Sequence, residues 1–391
     1  MEVYLDNAAT TFPKPKQVLD GIYNYMLNIG GSAGRGNYSN SLESNRYLYN
    51  TREIICNFFG FDSPSNVIFT NNVTTSLNIL IKGVLSSGDH VITSSMEHNS
   101  VIRPIFSFKD SIGIDIDIVD ADSKGFININ DIESKITSKT KLIVITQASN
   151  VTGSIQNLYS IGALCEKYNI LFLVDSSQGA GVLQINMKSI KANAIAFTGH
   201  KSLLGPQGIG GFILDEKYNT ACKSLLEGGT GSLSYSLKQP DFLPDKFECG
   251  THNMPGIVGL YESISYINSI GLNNIYEHNH NLIKYLLNGL LNISNVIVYG
   301  DLTGKNITTC ISINMKSMDP SEVSYYLETN GIKTRSGLHC SPLAHKTIGT
   351  YPNGTVRLSI SHFSTKEDLD YVIYHLNKLS KTNIYLSLIH I

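Results

Sequence analysis

The sequence predicts an α/β protein. A large domain carries a mostly parallel seven-stranded sheet flanked by helices, and a smaller α+β domain follows toward the C-terminus. Three observations predict this. Short, apolar, β-branched-rich runs alternate with helical stretches, the pattern of strands covered on both faces. Near Pro255 the alternation gives way to long helical segments. At 391 residues the chain is long enough for more than one core. Residues 15–255 are assigned to the large domain, and residues 1–14 with 256–391 to the small one.

In chain order, Val3-Tyr4-Leu5-Asp6 reads as a short strand or arm before Asn7-Ala8-Ala9-Thr10-Thr11. Pro13 and Pro15 open a helix running to about Ile29, and Gly30 to Gly36 form a loop. Strands are predicted at Val67–Thr70, His90–Ser94, Ile114–Val119, Leu142–Thr146, Ile170–Asp175, Ala194–Thr198 and Gly210–Leu214. Helices such as Thr75–Leu85 and Leu158–Tyr168 lie between them. In the small domain, helices Gly256–Ile270 and Asn273–Asn292 lead into strands near Val296–Tyr299, Cys310–Asn314 and Val356–Ile360. Asp319-Pro320-Ser321-Glu322 opens a helix, with Asp319 as N-cap and Pro320 at the first position. A last helix is expected from about Thr365 to Leu379, and the apolar tail Ile384–Ile391 has no amphipathic pattern to pack it.

A hydrophobic content of 42% with 16% charged residues fits a folded soluble protein. The net charge of −2 gives no electrostatic reason to expect nucleic acid as a partner. No segment approaches the roughly 18 apolar residues that span a bilayer. Asp6 interrupts any apolar run at the start, so no signal peptide is read there. The six cysteines lack metal spacing, and no metal site is expected. They suit a reducing cytoplasm as free thiols, five of them as core filler.

The residues that carry chemistry cluster at predicted strand ends, where open α/β sheets bind ligands. Asp175 ends Leu171-Phe172-Leu173-Val174-Asp175. Lys201 closes Thr198-Gly199-His200-Lys201, with Gly205-Pro206-Gln207-Gly208-Ile209-Gly210-Gly211 behind it. An acid at one strand end and a lysine at the next, among small phosphate-friendly residues, is what pyridoxal 5'-phosphate requires. The acid pairs with the pyridinium nitrogen, and the lysine carries the cofactor as a Schiff base. Thr70-Asn71-Asn72-Val73-Thr74-Thr75-Ser76, between a strand and a helix, points free N–H groups and hydroxyls at an anion. Thr198 and His200 add donors near Lys201. His98, after a strand, is placed to stack on a planar ring, and Gln178 to reach the cofactor's phenolic oxygen. Asn150 is a further polar group at a strand end. Arg357, in an otherwise apolar strand, suits fork-to-fork carboxylate binding. Cys340 follows His339 in a loop near Arg335 and His345, surroundings that favour a nucleophilic thiol.

With these residues in place, the chain resembles the class V (fold-type I) pyridoxal-phosphate enzymes, and within them the cysteine desulfurase and selenocysteine lyase family. The resemblance runs from Tyr4-Leu5-Asp6-Asn7-Ala8-Ala9-Thr10-Thr11 to Thr355-Val356-Arg357-Leu358-Ser359. Arg335-Ser336-Gly337-Leu338-His339-Cys340 is similar to the RxGxHC signature of the group II desulfurases, whose catalytic cysteine lies on a short, ordered loop. The resemblance implies that Lys201 carries the cofactor and shuttles the α-proton. It places Asp175 on the pyridinium N–H, Gln178 on the phenolic oxygen, His98 over the ring, and Thr74, Thr75, Thr198 and His200 on the phosphate. It implies a homodimer in which Thr251 reaches the phosphate of the partner subunit's cofactor and Arg35 crosses the interface. Arg357 and Asn150 would hold the substrate carboxylate, with Arg335 and Arg35 also assigned to substrate. Cys340 would take sulfur from L-cysteine as a persulfide, release alanine, and pass the sulfur to an acceptor protein. Ser341-Pro342-Leu343 departs from the Ala-Met or Ala-Gln that often follows this cysteine in familiar members.

Three other readings share most of these residues. A selenocysteine lyase would share every motif, and because selenolate leaves more easily than thiolate it can work without the cysteine. A class V aminotransferase acting on another amino acid is an alternative that Cys340 argues against. A non-catalytic homologue that binds the cofactor and serves as a scaffold is the fourth reading.

Overall fold

The computed structural model of the protein describes residues 1–34 and 36–389. Its thirteen strands are β1 (Val3–Tyr4), β2 (Val67–Thr70), β3 (His90–Ser94), β4 (Asp115–Val119), β5 (Thr140–Thr146), β6 (Leu171–Asp175), β7 (Ala194–Thr198), β8 (Gly210–Leu214), β9 (Val296–Tyr299), β10 (Cys310–Met315), β11 (Ile332–Lys333), β12 (Arg335–Gly337) and β13 (Thr355–Ser359). The large sheet has the order β2-β8-β7-β6-β5-β3-β4. Only β8 runs against the others, antiparallel to both β7 and β2.

Alternation along each strand feeds two cores. Phe172, Val174, Ile143, Ile145, Ile195 and Phe197 enter one cluster. Leu171, Leu173, Leu142, Val144, Ala194 and Ala196 enter the other, on the opposite face. Both faces are therefore covered, which explains why these strands read as continuous apolar runs.

This topology decides where a site can lie. From β3 the chain goes to β4 on one side, then returns to β5 on the other and continues outward through β6 and β7. The order thus reverses between β3 and β5, and a crevice opens at the carboxyl ends of the strands there. The segments after β3, β5, β6 and β7 all leave at that edge, and so does the turn after β2, because Thr70 and Thr198 both pair with Gly210.

The small domain is an antiparallel sheet, β12-β13-β10-β9, beside a two-stranded parallel pair of β1 with β11. Val3 and Leu5 of the N-terminal arm enter its core with Leu286, Ile311, Ile313, Val356, Leu358 and Leu376. Helix Met254–Ile270 sends Ile257, Leu260, Ile264 and Ile267 into the large-domain core, so the second core gathers from helix Leu272–Leu291 onward. Asp319 caps helix Pro320–Thr329 in a full capping box with Glu322. The last helix spans Lys366–Ile389, beyond the expected end at Leu379. No glycine or proline interrupts 380–389, so the backbone has no reason to leave the helix there. His390 and Ile391 of the expected unpacked tail lie outside the described residues.

Asn253 caps Met254–Ile270 by accepting from the Gly256 N–H at 3.1 Å, while its amide donates to the Gly208 carbonyl at 2.9 Å. Asn253→Ala should lower unfolding stability by about 1 kcal/mol, read from a urea melt at pH 7.

Candidate active site

A cavity of about 180 Å³ opens at the crevice, lined by residues from five strand ends. Asp175, at the end of β6, forms part of it. The Ser177 N–H donates to Asp175 Oδ1 at 2.9 Å and the Ser177 hydroxyl donates to the same oxygen. Oδ2 is left for another donor. Burial raises the Asp175 carboxyl, against the pull of these donors and of Lys201.

Lys201 follows β7 and lines the same cavity. Enclosure pushes its amine down to about 8, with Asp175 opposing and Arg357 reinforcing the shift. The N-terminal arm fixes its backbone. The Thr11 N–H and the Lys14 amine donate to the His200 carbonyl at 3.0 and 2.7 Å. The Thr11 hydroxyl donates to the Lys201 carbonyl at 2.8 Å. Asn7 donates to the Ser359 carbonyl at 2.8 Å. The Asn-Ala-Ala-Thr-Thr segment thus ties the lysine turn of the large domain to β13 of the small one.

His98 caps helix Asn99–Ile112, its Nδ1 accepting from the Ser100 N–H at 3.0 Å. Nδ1 as acceptor leaves Nε2 as the protonated nitrogen. Burial, with the nearby Lys201, Arg357 and Arg103 charges, pushes His98 down to about 4, so the ring is neutral at pH 7. Glu97 beside it is enclosed. Its Oε1 accepts from the Ser94 hydroxyl at 2.6 Å and the Thr146 N–H at 3.0 Å. Burial pushes this acid up to about 8.

At the far end, Asn72 caps helix Val73–Val84 through the Thr75 N–H at 3.0 Å. Thr74 and Ser100 share a hydroxyl hydrogen bond of 2.8 Å. Thr198 Oγ1 and His200 Nδ1 are buried without a partner. Unpaired buried polar atoms are rare and costly. Here they sit with a helix N-terminus, a lysine and an acid with one oxygen to spare, a donor set that fits pyridoxal 5'-phosphate.

Arg357 on β13 is only 3% exposed. Its Nη1 donates to the Asn150 carbonyl and its Nη2 to Asp6 Oδ1, both at 3.1 Å, while Nε has no partner. Asp6 also receives Arg335, through Nε at 3.1 Å and Nη2 at 2.9 Å. The guanidinium of Arg335 is thus directed at Asp6. The Gln178 amide donates to the Ala8 carbonyl at 3.1 Å while the residue lines the cavity. Thr251 lies outside the cavity, in a neighbouring cleft with Asn71, Thr75 and His252. Arg35 lies outside the described residues.

Cys340 is exposed and lines a groove that shares Thr74, His98 and Ser100 with the lysine cavity. Asn99, Arg103 and Lys82 also line the groove. Burial holds His339 down at about 2 and His345 at about 4, helped in both by the Arg357 charge. Neither histidine therefore brings the cationic charge toward the thiol that their position in the sequence suggested. A separate cleft of about 470 Å³, lined by Ile155, Leu158, Leu183 and Tyr276, contains no lysine, histidine, cysteine or carboxylate.

Sequence reasoning missed Glu97, Asp6, Ser177 and Ser341. Their only signal was adjacency to motif residues, and adjacency does not say which way a side chain points. Cys310, counted as core filler, is buried, and its thiol lies 3.6 Å from the Ser149 carbonyl, near Lys201 and Arg357.

Comparison with known proteins agrees with this geometry. The aminotransferase class-V family model matches residues 3–372. A probable cysteine desulfurase of Methanothermobacter thermautotrophicus is 35% identical, over 94% of this chain and 92% of that protein. Another, of Borreliella burgdorferi, is 34% identical over 97% and 92%. The apo structure of a cysteine desulfurase from Thermococcus onnurineus NA1 superposes with a TM-score of 0.93 at 30% identity, covering 97% of this chain and 95% of that one. A family model spanning nearly the whole chain, with relatives above 30% identity over 92% of their length, leads to one conclusion: the protein belongs to the class V pyridoxal-phosphate fold and, within it, to the cysteine desulfurase family.

Proposed function

We propose that the protein is a pyridoxal-phosphate-dependent cysteine desulfurase that converts L-cysteine to L-alanine and takes the sulfur as a persulfide on Cys340. The observation that carries this reading is the exposed Cys340 in a groove that shares Thr74, His98 and Ser100 with the cavity that Lys201 lines, near enough for its charge to act on the lysine. Lys201, Asp175, Gln178, His98, Thr74, Thr75, Thr198 and His200 would hold the cofactor. When bound, the cofactor supplies an electron sink that loosens bonds at the substrate's α- and β-carbons.

The chain's own residues do the rest. Arg357 offers its unpartnered Nε to the substrate carboxylate, while one N–H on each of its other two nitrogens is held by Asn150 and Asp6. Lys201, with an amine held near 8, can move the α-proton close to neutral pH. His98 would face the cofactor ring as a neutral imidazole with its proton on Nε2. The Cys340 sulfur attacks the substrate sulfur, an S–S bond forms, and the C–S bond breaks with its electron pair going to the β-carbon, which is protonated. L-cysteine and the Cys340 thiol thus give L-alanine and the Cys340 persulfide, and no external oxidant is needed. The persulfide then passes to an acceptor protein.

We also infer a homodimer. Leu19, Tyr23, Met26 and Leu27 stand exposed along the first helical segment, an apolar stretch that a second copy would cover. Thr251 and Arg35 would act from that copy. A free exposed thiol also suits a reducing, cytoplasmic setting. Among the described residues no helix is long and apolar enough to cross a membrane.

The test is alanine and sulfide release from L-cysteine with dithiothreitol as acceptor. Alanine and sulfide should appear in equal amounts. Cys340→Ala should lower turnover by about 1,000-fold with the cofactor absorbance intact. Full turnover in that variant would remove Cys340 from the mechanism. A transamination product in place of alanine would move the protein to the aminotransferases.

A further inference from the structure

The turn that carries Cys340 is strained. His339 and Cys340 are consecutive left-handed residues, at φ of 48° and 58°, and neither is glycine. A side chain makes that region costly, and such residues persist where surrounding bonds over-determine them. Two backbone bonds contribute here, from the Ser341 N–H to the Leu338 carbonyl and from the Asn99 N–H to the Cys340 carbonyl, each 2.8 Å.

The His339 ring adds a hydrogen bond to the Thr355 hydroxyl at 3.1 Å. A further restraint comes from Asn150, which follows β5 in the large domain and lines the lysine cavity. Its amide nitrogen donates to the His339 carbonyl at 2.7 Å, and its amide oxygen accepts from the Ser341 hydroxyl at 2.8 Å. The pattern fixes the amide orientation, since a flipped amide would set its oxygen against the His339 carbonyl. Ser341 is fully buried. It occupies the N-cap of helix Pro342–Thr347, yet its side chain makes no capping bond. A serine at that position usually serves the helix N–H groups. Here its hydroxyl is turned to Asn150 instead. The Asn150 carbonyl meanwhile receives Arg357. One asparagine therefore links the lysine cavity, the arginine and the cysteine turn.

We propose that Asn150 and Ser341 form a latch that holds Cys340 in register with the cavity, making Ser341 a positioning residue for sulfur transfer. Ser341 touches neither the substrate nor the thiol and acts through Asn150 and the His339 carbonyl. The proposal rests on the reading of Cys340 as the sulfur carrier.

The test compares the holoenzyme with Ser341→Ala, which removes one hydroxyl and little else. For L-cysteine, kcat should fall about tenfold with KM unchanged, the scale of one buried hydrogen bond. Amide hydrogen exchange at residues 338–341 should rise by about the same factor. Turnover of L-selenocysteine, whose selenolate leaves without help from the thiol, should stay at the parent level, as should the cofactor absorbance. Unchanged exchange, or faster exchange with unchanged kcat, overturns the latch. Equal loss on both substrates with altered absorbance also overturns it, placing the effect at the cofactor instead. Cys340→Ala, run in parallel, separates the two levels. Full cysteine turnover there defeats the sulfur-carrier reading itself, and the latch falls with it.

Discussion

Lys201→Ala should abolish covalent retention of pyridoxal 5'-phosphate and lower L-cysteine turnover by at least about 10,000-fold, the upper range for removing a group that both anchors and moves a proton. Borohydride reduction followed by peptide mass spectrometry should label residue 201 in the parent and nothing in the variant. The change should not weaken the fold. Enclosure pushes the Lys201 amine down to about 8, so folding disfavours its charge, and that cost is fully present below the folded value. Removing the amine relieves it. The melting temperature of the cofactor-free variant should therefore equal or exceed that of the cofactor-free parent. A loss of several degrees would mean that Lys201 is a structural partner of Asp175 more than a reactive amine. Non-covalent binding through Asp175, Thr198 and the helix at Asn72 should survive, with faster loss on dialysis.

How much of this site was legible in the sequence follows from how each residue is held. Residues at the ends of apolar strands were legible, because period and punctuation locate a strand end to within a residue or two. Asp175, Thr198 and Lys201 are of this kind, and the cavity gathers them. Legibility fades where the answer depends on a side chain's direction. Asp6 stands in the same motif as the legible Asn7 to Thr11, yet nothing local indicates that it would bridge Arg335 and Arg357. Asn150 presented itself as a ligand-facing amide, and the structure directs both ends of that amide at the Cys340 turn. His339 and His345 were read as neighbours whose presence favours a nucleophilic thiol. Their neutrality comes from burial beneath segments far away in the chain, a tertiary fact with no local signature. Strands of two or three residues, β11 and β12, are too short for a period to register, and only their pairing partners define them.

The largest expected effect on stability lies outside the catalytic cavity. Glu248 and Arg52 form a bidentate pair at 2.8 and 2.6 Å with side chains only 5% and 6% exposed. Glu248 also accepts from the Phe69 N–H at 2.7 Å and meets His252 Nε2 at 2.6 Å. Arg52 in turn donates to the Val67 carbonyl. The pair thus ties helix Ser39–Phe58, strand β2 and the segment carrying Thr251 together beside the Thr70–Thr75 turn. Burial alone would push the Glu248 carboxyl up. The Arg52 charge and the His252 contact override it and hold the carboxyl down at about 2. Because the folded value lies below the ordinary one of 4.5, this stabilisation is present above about pH 4.5 and is lost as pH falls toward 2. Glu248→Gln keeps the shape and removes the charge, leaving Arg52 buried without a counter-ion. Unfolding stability at pH 7 should drop by about 3–5 kcal/mol. At pH 2 the gap between variant and parent should shrink, since the parent's carboxyl is then substantially protonated. Replacing both partners, as Arg52→Met with Glu248→Leu, should recover much of the loss, because neither charge is then stranded. Urea melts of the three proteins at both pH values decide the matter. A single variant no less stable than the parent would show that water reaches the pair and that the Thr251 segment is held by its backbone alone.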